Sequence, residues 1–548
     1  MQAMDPMRTP SVPCRVNDSL ESSVRATFCA GVEAGQLDLI RTCILSINII
    51  VLSIFVIGCV GDAAPDAGAD LSSKRSAVAA NANSCFDPAQ YGGIPDDNLD
   101  DRVAIQSAID AASSRGGRVC LGDGRWRVSR APLGSYNRSA ALTIHAPRVE
   151  LSGNGPGTVI EVVGDQGAGT IFVISVDSGA SNITLRDFVV DTSGMTNTGE
   201  QTHAIQIGTV VGTGPVEDVR IERIVFNHPR FPPSYKGDCL RLVGGQAPNQ
   251  VRRVTVIGSA FTSCARSGIA IQRGVYDLVI MGNEFTKIND QDIDSEPTSL
   301  GGNSGVTIVG NIFRDSVDAT VGDWSVTIGG YDGPMSSVTL SNNVFEGRGA
   351  YLFNSANLVM SGNVFNTTMR SGYGVVHFGG RAETIVVSGN TIRRQGVDGP
   401  MIRVVHASGY WAQNVTISNN EMIQGTLGGG IVTESAVKMS VVNNGIEWTQ
   451  PAPNAFGIHH RSTFVETEAI MISNNRMVGS VKYGVLLGAG PNPFNTTSVV
   501  GNMTTGATAG LRCDQSVSGN FKKPIVVTAN NFNSPAQCTI ATTVASRP

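Results

Sequence analysis

Between residues 290 and 297 the chain reads DQDIDSEP, placing Asp290, Asp292, Asp294 and Glu296 at every second position. In a β-strand alternate side chains share a face, so four carboxylates would crowd together. Crowded like charges raise the pKa of one member and leave a proton donor beside an ionised acceptor. Same-face neighbours in a strand have Cα atoms about 6.5 Å apart, and carboxyl separations of roughly 5 to 9.5 Å serve retaining and inverting glycosidases. The chemistry within reach is acid–base cleavage of a glycosidic bond. The same oxygens could instead hold Ca²⁺, which takes about six to eight of them. With an arginine nearby, a calcium site suits elimination at a uronate: the cation neutralises the carboxylate and a base removes the proton next to it. The plain alternative is a solvated acidic ladder paired with Arg, with Pro297 merely starting a corner.

What positions these residues is a repeat. From residue 149 onward one phrase returns, as VELSGN, VTVIGSAF, LVIMGNEF, VTIVGNIF, VTLSNNVF and LVMSGNVF. Its final Asn falls at 283, 311, 343, 363, 390, 420, 444, 475, 502 and 531, about 27.6 residues per repeat. Weaker copies centre near Asn154, Phe188, Ile224 and Ser259. A period in this range marks a solenoid. The alternation of apolar and other residues predicts a strand, and Gly-Asn or Asn-Asn ends it in a turn that tolerates left-handed backbone. A second strand lies between anchors, as in HAIQIG, DCLRLV, SGIAIQ, DIDSEP and WSVTIG. About fourteen turns, each with at least two short strands, stacked at ~4.8 Å give an all-β solenoid about 65 Å long. The recurrent Asn predicts an internal ladder.

Aligning the second strand on its first inward aliphatic sets Ile205, Leu240, Ile269, Ile293 and Val326 in one column. Ile207, Leu242, Ile271, Ser295 and Ile328 form the next inward column. Outward positions then fall at odd offsets. Arg266 comes beside Asp290, and Gln272 beside Glu296. Gly268 and Ala270 leave space beside Asp292 and Asp294. Arg241, two rungs from Asp294, reaches across Ala270, and Arg273 follows at the corner. This outlines a shallow cleft with two exposed carboxylates in its middle, Asp292 and Asp294. Asp292, Asp294 and Glu296 are the candidate acid, base or nucleophile, or the calcium ligands. Arg241, Arg266, Gln272, Arg273 and Asp238 are candidates to hold substrate. The insertion HPRFPPSYKGD sets Phe231 and Tyr235 at the groove wall, where rings stack on sugars. His203 points inward by parity. His459 and His460 sit on the same strand class about six rungs away, near 29 Å, too far to share chemistry with Asp294.

Residues 86 to 128 read FDPAQYGGIPDDNLDDRVAIQSAIDAASSRGGRVCLGDGRWRV. Ile105, Ala108, Ile109 and Ala112 repeat at helical spacing, predicting a short amphipathic helix that covers the open end of the first coil. The segment resembles the start of the pectate lyase superfamily, where an Asp-rich turn leads into AIQxAIDAA, then GG and a strand. The resemblance covers residues 86 to about 533 and implies a single-stranded right-handed parallel β-helix. It is specific for fold rather than reaction, since hydrolases, lyases, epimerases and non-catalytic tail fibres share that architecture. GDCLRLVGG (237–245) resembles the GDDCIAI strand of polygalacturonases, and NDQDID resembles their NTDGID, although their order along this chain is reversed and no HG pair follows.

Thr42 to Val60 holds nineteen residues without a charge, which reads as a secretory signal core or an uncleaved anchor. It contains VIGC, which resembles a bacterial lipoprotein cleavage box with Cys59 as the lipidated residue. The tract after it is rich in Ala, Asp and Ser, as a tether is. Six cysteines remain beyond Cys59, falling into sequence-neighbour pairs Cys85/Cys120, Cys239/Cys264 and Cys513/Cys538. An even number in an exported chain predicts disulfides, although six allow about fifteen connectivities. The expected organisation is an export segment (1–59), a tether (60–84), an N-terminal cap (85–140), the β-helix (141–535) and a tail (536–548). Net charge is −5, with no basic stripe, so nucleic acid is not an expected partner. The expected protein is exported to the cell envelope or beyond and membrane-tethered, with a polysaccharide partner and Ca²⁺ as the one cofactor its carboxylates could take. It acts as a hydrolase, a calcium-dependent lyase or a non-catalytic glycan binder.

Overall fold

The computed structural model describes residues 85–545 except 132–138, 164–170, 196–201, 209–213, 229–236, 298–301, 315–323, 331–334, 369–372, 396–398, 406–410, 426, 464–466, 489–491, 493, 515–524, 534–536 and 539–542. The apolar run at 42–60, Cys59, Phe231 and Tyr235 therefore lie outside the described residues.

Each turn of the solenoid has three strands, one more than the minimum expected. Val275–Met281, Glu284–Thr286 and Ile293–Ser295 make one turn, and Asn303–Val309 starts the next. Pairing with the turns above and below is parallel. The short strands after the Asn turns stack fifteen deep in one sheet. The other two columns merge into a twenty-nine-stranded sheet because Gly349–Ser361 and Val376–Ser388 each run through both.

The repeat phrase explains the interior. The residue before each ladder Asn from Asn283 to Asn502 turns the corner with positive φ, from +54° at Asn342 to +67° at Gly501, which is why that position is either Gly or Asn. From Asn283 to Asn502, each buried side-chain amide donates to the next Asn Oδ1 at 2.9–3.0 Å. The same Oδ1 accepts a backbone N–H from the turn before, so the ladder satisfies groups that a corner would otherwise bury unpaired. Its last member is Asn530, not Asn531. Two residues after the ladder Asn, Phe285, Phe313, Phe345 and Phe365 continue a stack begun by Phe226 and Phe261, with centroids 4.4–5.0 Å apart.

The capping helix spans Arg102–Arg115 and buries Ala104, Ile105, Ala108, Ile109 and Ala112. It packs on Gly117–Cys120 and Ala140–Ile144, covering the first coil. The six cysteines pair as sequence neighbours, Cys85–Cys120, Cys239–Cys264 and Cys513–Cys538.

Candidate functional site

The strand that carries the acidic row is three residues long, Ile293–Ser295. Its register is the expected one. Ile205 pairs with Leu240, Leu240 with Ile269, Ile269 with Ile293 and Ile293 with Val326. Asp294 therefore sits between Ala270 and Thr327 on the outer column. The ladder continues one residue further, with the Glu296 N–H donating to Ile271 O at 2.9 Å, which keeps Glu296 in step beside Gln272.

Strict parity fails just outside those three residues, and the acidic row is not one exposed face. Asp292 is fully buried, in a column with Ala204 and Cys239, both fully buried core residues. Period-two alternation holds only inside a strand, and Asp292 belongs to the preceding turn. The expectation of two exposed middle carboxylates is corrected accordingly: Asp292 has no surface to offer a substrate. Asp294 is half-buried, and Glu296 is exposed. Among the described residues no three His, Cys, Asp or Glu side chains converge as a metal-ligand set, Asp292, Asp294 and Glu296 included.

The basic partners also differ from the expectation. Arg266 is not paired with the Asp290 carboxylate. Its Nε and Nη2 clamp Asp238 Oδ1 and Oδ2, each at 2.7 Å. Asp238 is fully buried and further accepts from Ser267 N at 3.2 Å. Burial works to raise its pKa, but the two bonds from Arg266 win and hold the carboxyl well below the usual range. Asp238 is thus a buried anchor for Arg266, not a direct substrate ligand. His203 is buried as expected, and its Nδ1 accepts the Asp238 backbone N–H at 3.0 Å. Burial lowers its pKa and keeps the ring neutral. The Cys239–Cys264 bridge brackets this network, since Cys239 follows Asp238 and Cys264 lies two residues before Arg266.

Arg241 does cross the gap left by Ala270, but sideways. Its Nη1 donates to Gln206 Oε1 at 3.0 Å and its Nη2 to Gln272 Oε1 at 2.6 Å. Two glutamines, not a carboxylate, hold it, and burial lowers its pKa. Asp290 is partly buried, and its backbone oxygen accepts from Arg348 Nη1 at 2.5 Å. Its carboxyl pKa is raised by burial, against the pull of Arg348 and Arg266. Arg273 is partly buried at the corner after Gln272.

Asp294 emerges as the chemically distinctive group. Burial drives its pKa well above the ordinary value, and the charges of Glu296, Asp238 and Asp290 add to that, with Arg266 opposing. A carboxyl with a raised pKa two residues from an exposed Glu side chain is the pairing that acid–base chemistry needs. Gln206 and Arg348 were not singled out in the sequence. Gln206 lies in the same outer column and was open to being found; Arg348 reaches Asp290 from 58 residues away through a corner, where register is silent. His459 lies six paired rungs from Asp294 along this column, as expected. His459 is pushed down to about 4 by burial.

Residues 247–410 match the family model described as a right handed beta helix region. Over 144 residues the chain is 35% identical to the mannuronan C5-epimerase AlgE6 of Azotobacter vinelandii, which covers 25% of this chain and 16% of that relative's length. The catalytic unit of an α-1,3-glucanase from Streptomyces thermodiastaticus is similar with a TM-score of 0.41 and 14% identity, covering 85% of this chain and 71% of that one. The surface adhesin PfbA of Streptococcus pneumoniae is similar with a TM-score of 0.40 and 15% identity, covering 78% and 91%. At these scores the solved structures decide nothing about the site. Residues 247–410, Asp294 included, thus match a right-handed β-helix region, in keeping with the stacked parallel strands of the solenoid they belong to.

Proposed function

We propose that the chain is an exported carbohydrate-active β-helix that cleaves a polysaccharide at Asp294 and Glu296. One observation supports this most: a half-buried carboxyl with a raised pKa stands two residues before the exposed Glu296, beside Arg241 and its partner Gln272. In this reading Asp294 gives its proton to the glycosidic oxygen as the C–O bond breaks. Glu296 either attacks the anomeric carbon or takes the proton from an attacking water. Arg241, Gln272 and Arg273 face sugar hydroxyls or an acidic substituent, while Arg266, locked on Asp238, tunes Asp294 from beneath. The partial identity to a polysaccharide-modifying enzyme supports a glycan ligand. Three disulfides suit an oxidising compartment, and the VIGC segment would tether the protein at Cys59.

The test is a panel of neutral and uronate polysaccharides incubated with the full chain and with Asp294→Asn. New reducing ends without ultraviolet absorbance, lost in the variant, support hydrolysis. Absorbance from an unsaturated product, halted by a chelator, points to a calcium-dependent lyase. Binding without any cleavage, equal in both proteins, leaves a non-catalytic glycan binder.

A further inference from the structure

The outer column that carries Asp294 continues past it. Asp294 pairs with Thr327, Thr327 with Tyr351, Tyr351 with His377 and His377 with Arg403. At ~4.8 Å per rung, Tyr351 lies about 10 Å from Asp294 and Arg403 about 19 Å. Around Tyr351 the composition changes from charged to aromatic. Trp324 stacks on Tyr351 with centroids 4.6 Å apart and leans on Tyr373 at 5.2 Å. His377 meets Tyr351 edge-on at 4.9 Å and Tyr373 at 5.6 Å. The Arg403 guanidinium lies 5.9 Å from the Tyr373 ring centre, and among the described residues no carboxylate pairs with it.

This is not a misplaced piece of core. The solenoid interior already has its own aromatic column, made of phenylalanines alone. The outer cluster sets Trp, Tyr and His, whose rings are apolar but whose edges hydrogen-bond, beside Phe353, which stacks on Tyr351 at 4.9 Å; His377 is buried, and the cluster opens at Tyr373, 47% exposed. It is also held in place. The buried Arg394 donates from Nη1 to Tyr373 O at 2.8 Å and to Pro400 O at 2.9 Å, pinning two successive corners. At residue 379 any Cβ would come within 2.7 Å of the Tyr351 hydroxyl, so glycine there leaves the ring its room.

We propose that Trp324, Tyr351 and Tyr373, with His377 and Arg403, form a sugar-stacking subsite that binds a pyranose residue of the same polysaccharide chain, centred on Tyr351 two rungs along the solenoid axis from Asp294. The inference rests on the proposed glycan ligand but not on turnover. A chain lying along this column meets about one sugar ring per rung, so the subsite grips substrate several residues from the bond broken. It therefore demands polymers or long oligomers. Arg403 at the far end suits a ring bearing an acidic substituent.

The test is affinity electrophoresis of the full chain through gels holding a neutral glucan, xylan, polymannuronate or polygalacturonate. The parent protein is retarded by at least one polymer. Trp324→Ala and Tyr373→Ala each weaken that retardation by about tenfold. Trp324→Phe and Tyr373→Phe, which keep the rings, restore most of it and show that a folding defect is not the cause. Equal retardation of parent and both alanine variants overturns the subsite, as does a parent retarded by no polymer. Failure of cleavage is a separate outcome: if nothing is cut yet the ring variants bind weakly, the subsite stands and the catalytic reading falls.

Discussion

The raised pKa of Asp294 can be read without any substrate, through the pH dependence of stability. Because its carboxyl binds a proton more tightly in the folded chain than the usual ~3.9, it stabilises the fold at low pH, and that contribution is lost as pH rises through the folded value. Asp294→Asn removes the titration and leaves a neutral group of the same shape. The stability of the Asn variant relative to the parent therefore rises with pH, by up to about 1.4 kcal/mol for each unit between ~3.9 and the folded pKa, and levels off beyond it. The knee of that curve is the folded pKa. Neighbouring charges then predict how the knee moves. The negative Asp238 raises Asp294, while Arg266 lowers it. Repeating the comparison in Asp238→Asn, which removes a raising charge and frees Arg266, moves the knee to lower pH. In Arg266→Gln it moves to higher pH. Each background costs stability of its own, about 3 to 5 kcal/mol for breaking a buried pair, but only the shape of the curve is read. The assay is urea unfolding at a series of pH values. A parent–variant difference that stays flat from about pH 4 to 8, or knees that move the same way in both backgrounds, would refute the reasoning.

Asn363 donates to Asn390 Oδ1 at 2.9 Å and Leu340 O at 2.8 Å, and accepts from Asn343 N and Nδ2, each at 3.0 Å. Asn363→Ala strands these buried partners at about 1 to 3 kcal/mol each, so the urea midpoint falls sharply, whereas a surface Asn→Ala control moves little. Opening the Cys239–Cys264 loop, 25 residues in sequence separation, by Cys239→Ala with Cys264→Ala lowers stability by about 3.5 kcal/mol in the chain-entropy treatment. That loss appears as a fall in melting temperature of the double variant against the parent, both measured without reductant. Phe313→Ala interrupts a stack with neighbours at 5.0 and 4.7 Å and costs about 3 to 5 kcal/mol, measured the same way.

The solenoid was legible because its constraints repeat. An apolar alternation closed by Gly-Asn or Asn-Asn can be compared with itself many times over, and the strand register followed from it residue for residue. The helix cap was legible from one helical spacing at one end. The third strand of each turn, such as Glu284–Thr286, was not, since three residues are too few to show a period. The same brevity hid Asp292: parity carried one residue beyond Ile293–Ser295 pointed it outward, whereas the turn tucks it among core side chains. Arg266 lies in register with Asp290 but chooses Asp238, because long side chains at corners follow the local turn and its disulfide, not the ladder. The final ladder residue is Asn530 because the residue of the Phe column comes two positions later, at Phe532, which pairs with Thr504; that spacing separates two adjacent asparagines where the Asn alone does not.

The central claim is that Asp294 is a proton donor in glycan cleavage. The most direct measurement compares parent and Asp294→Asn on the polysaccharide that the parent binds best, recording both affinity and turnover. The account predicts affinity within about twofold and turnover down by 10²- to 10⁴-fold, roughly what loss of a general acid costs. Turnover that survives the substitution, or affinity that collapses with it, would contradict the account.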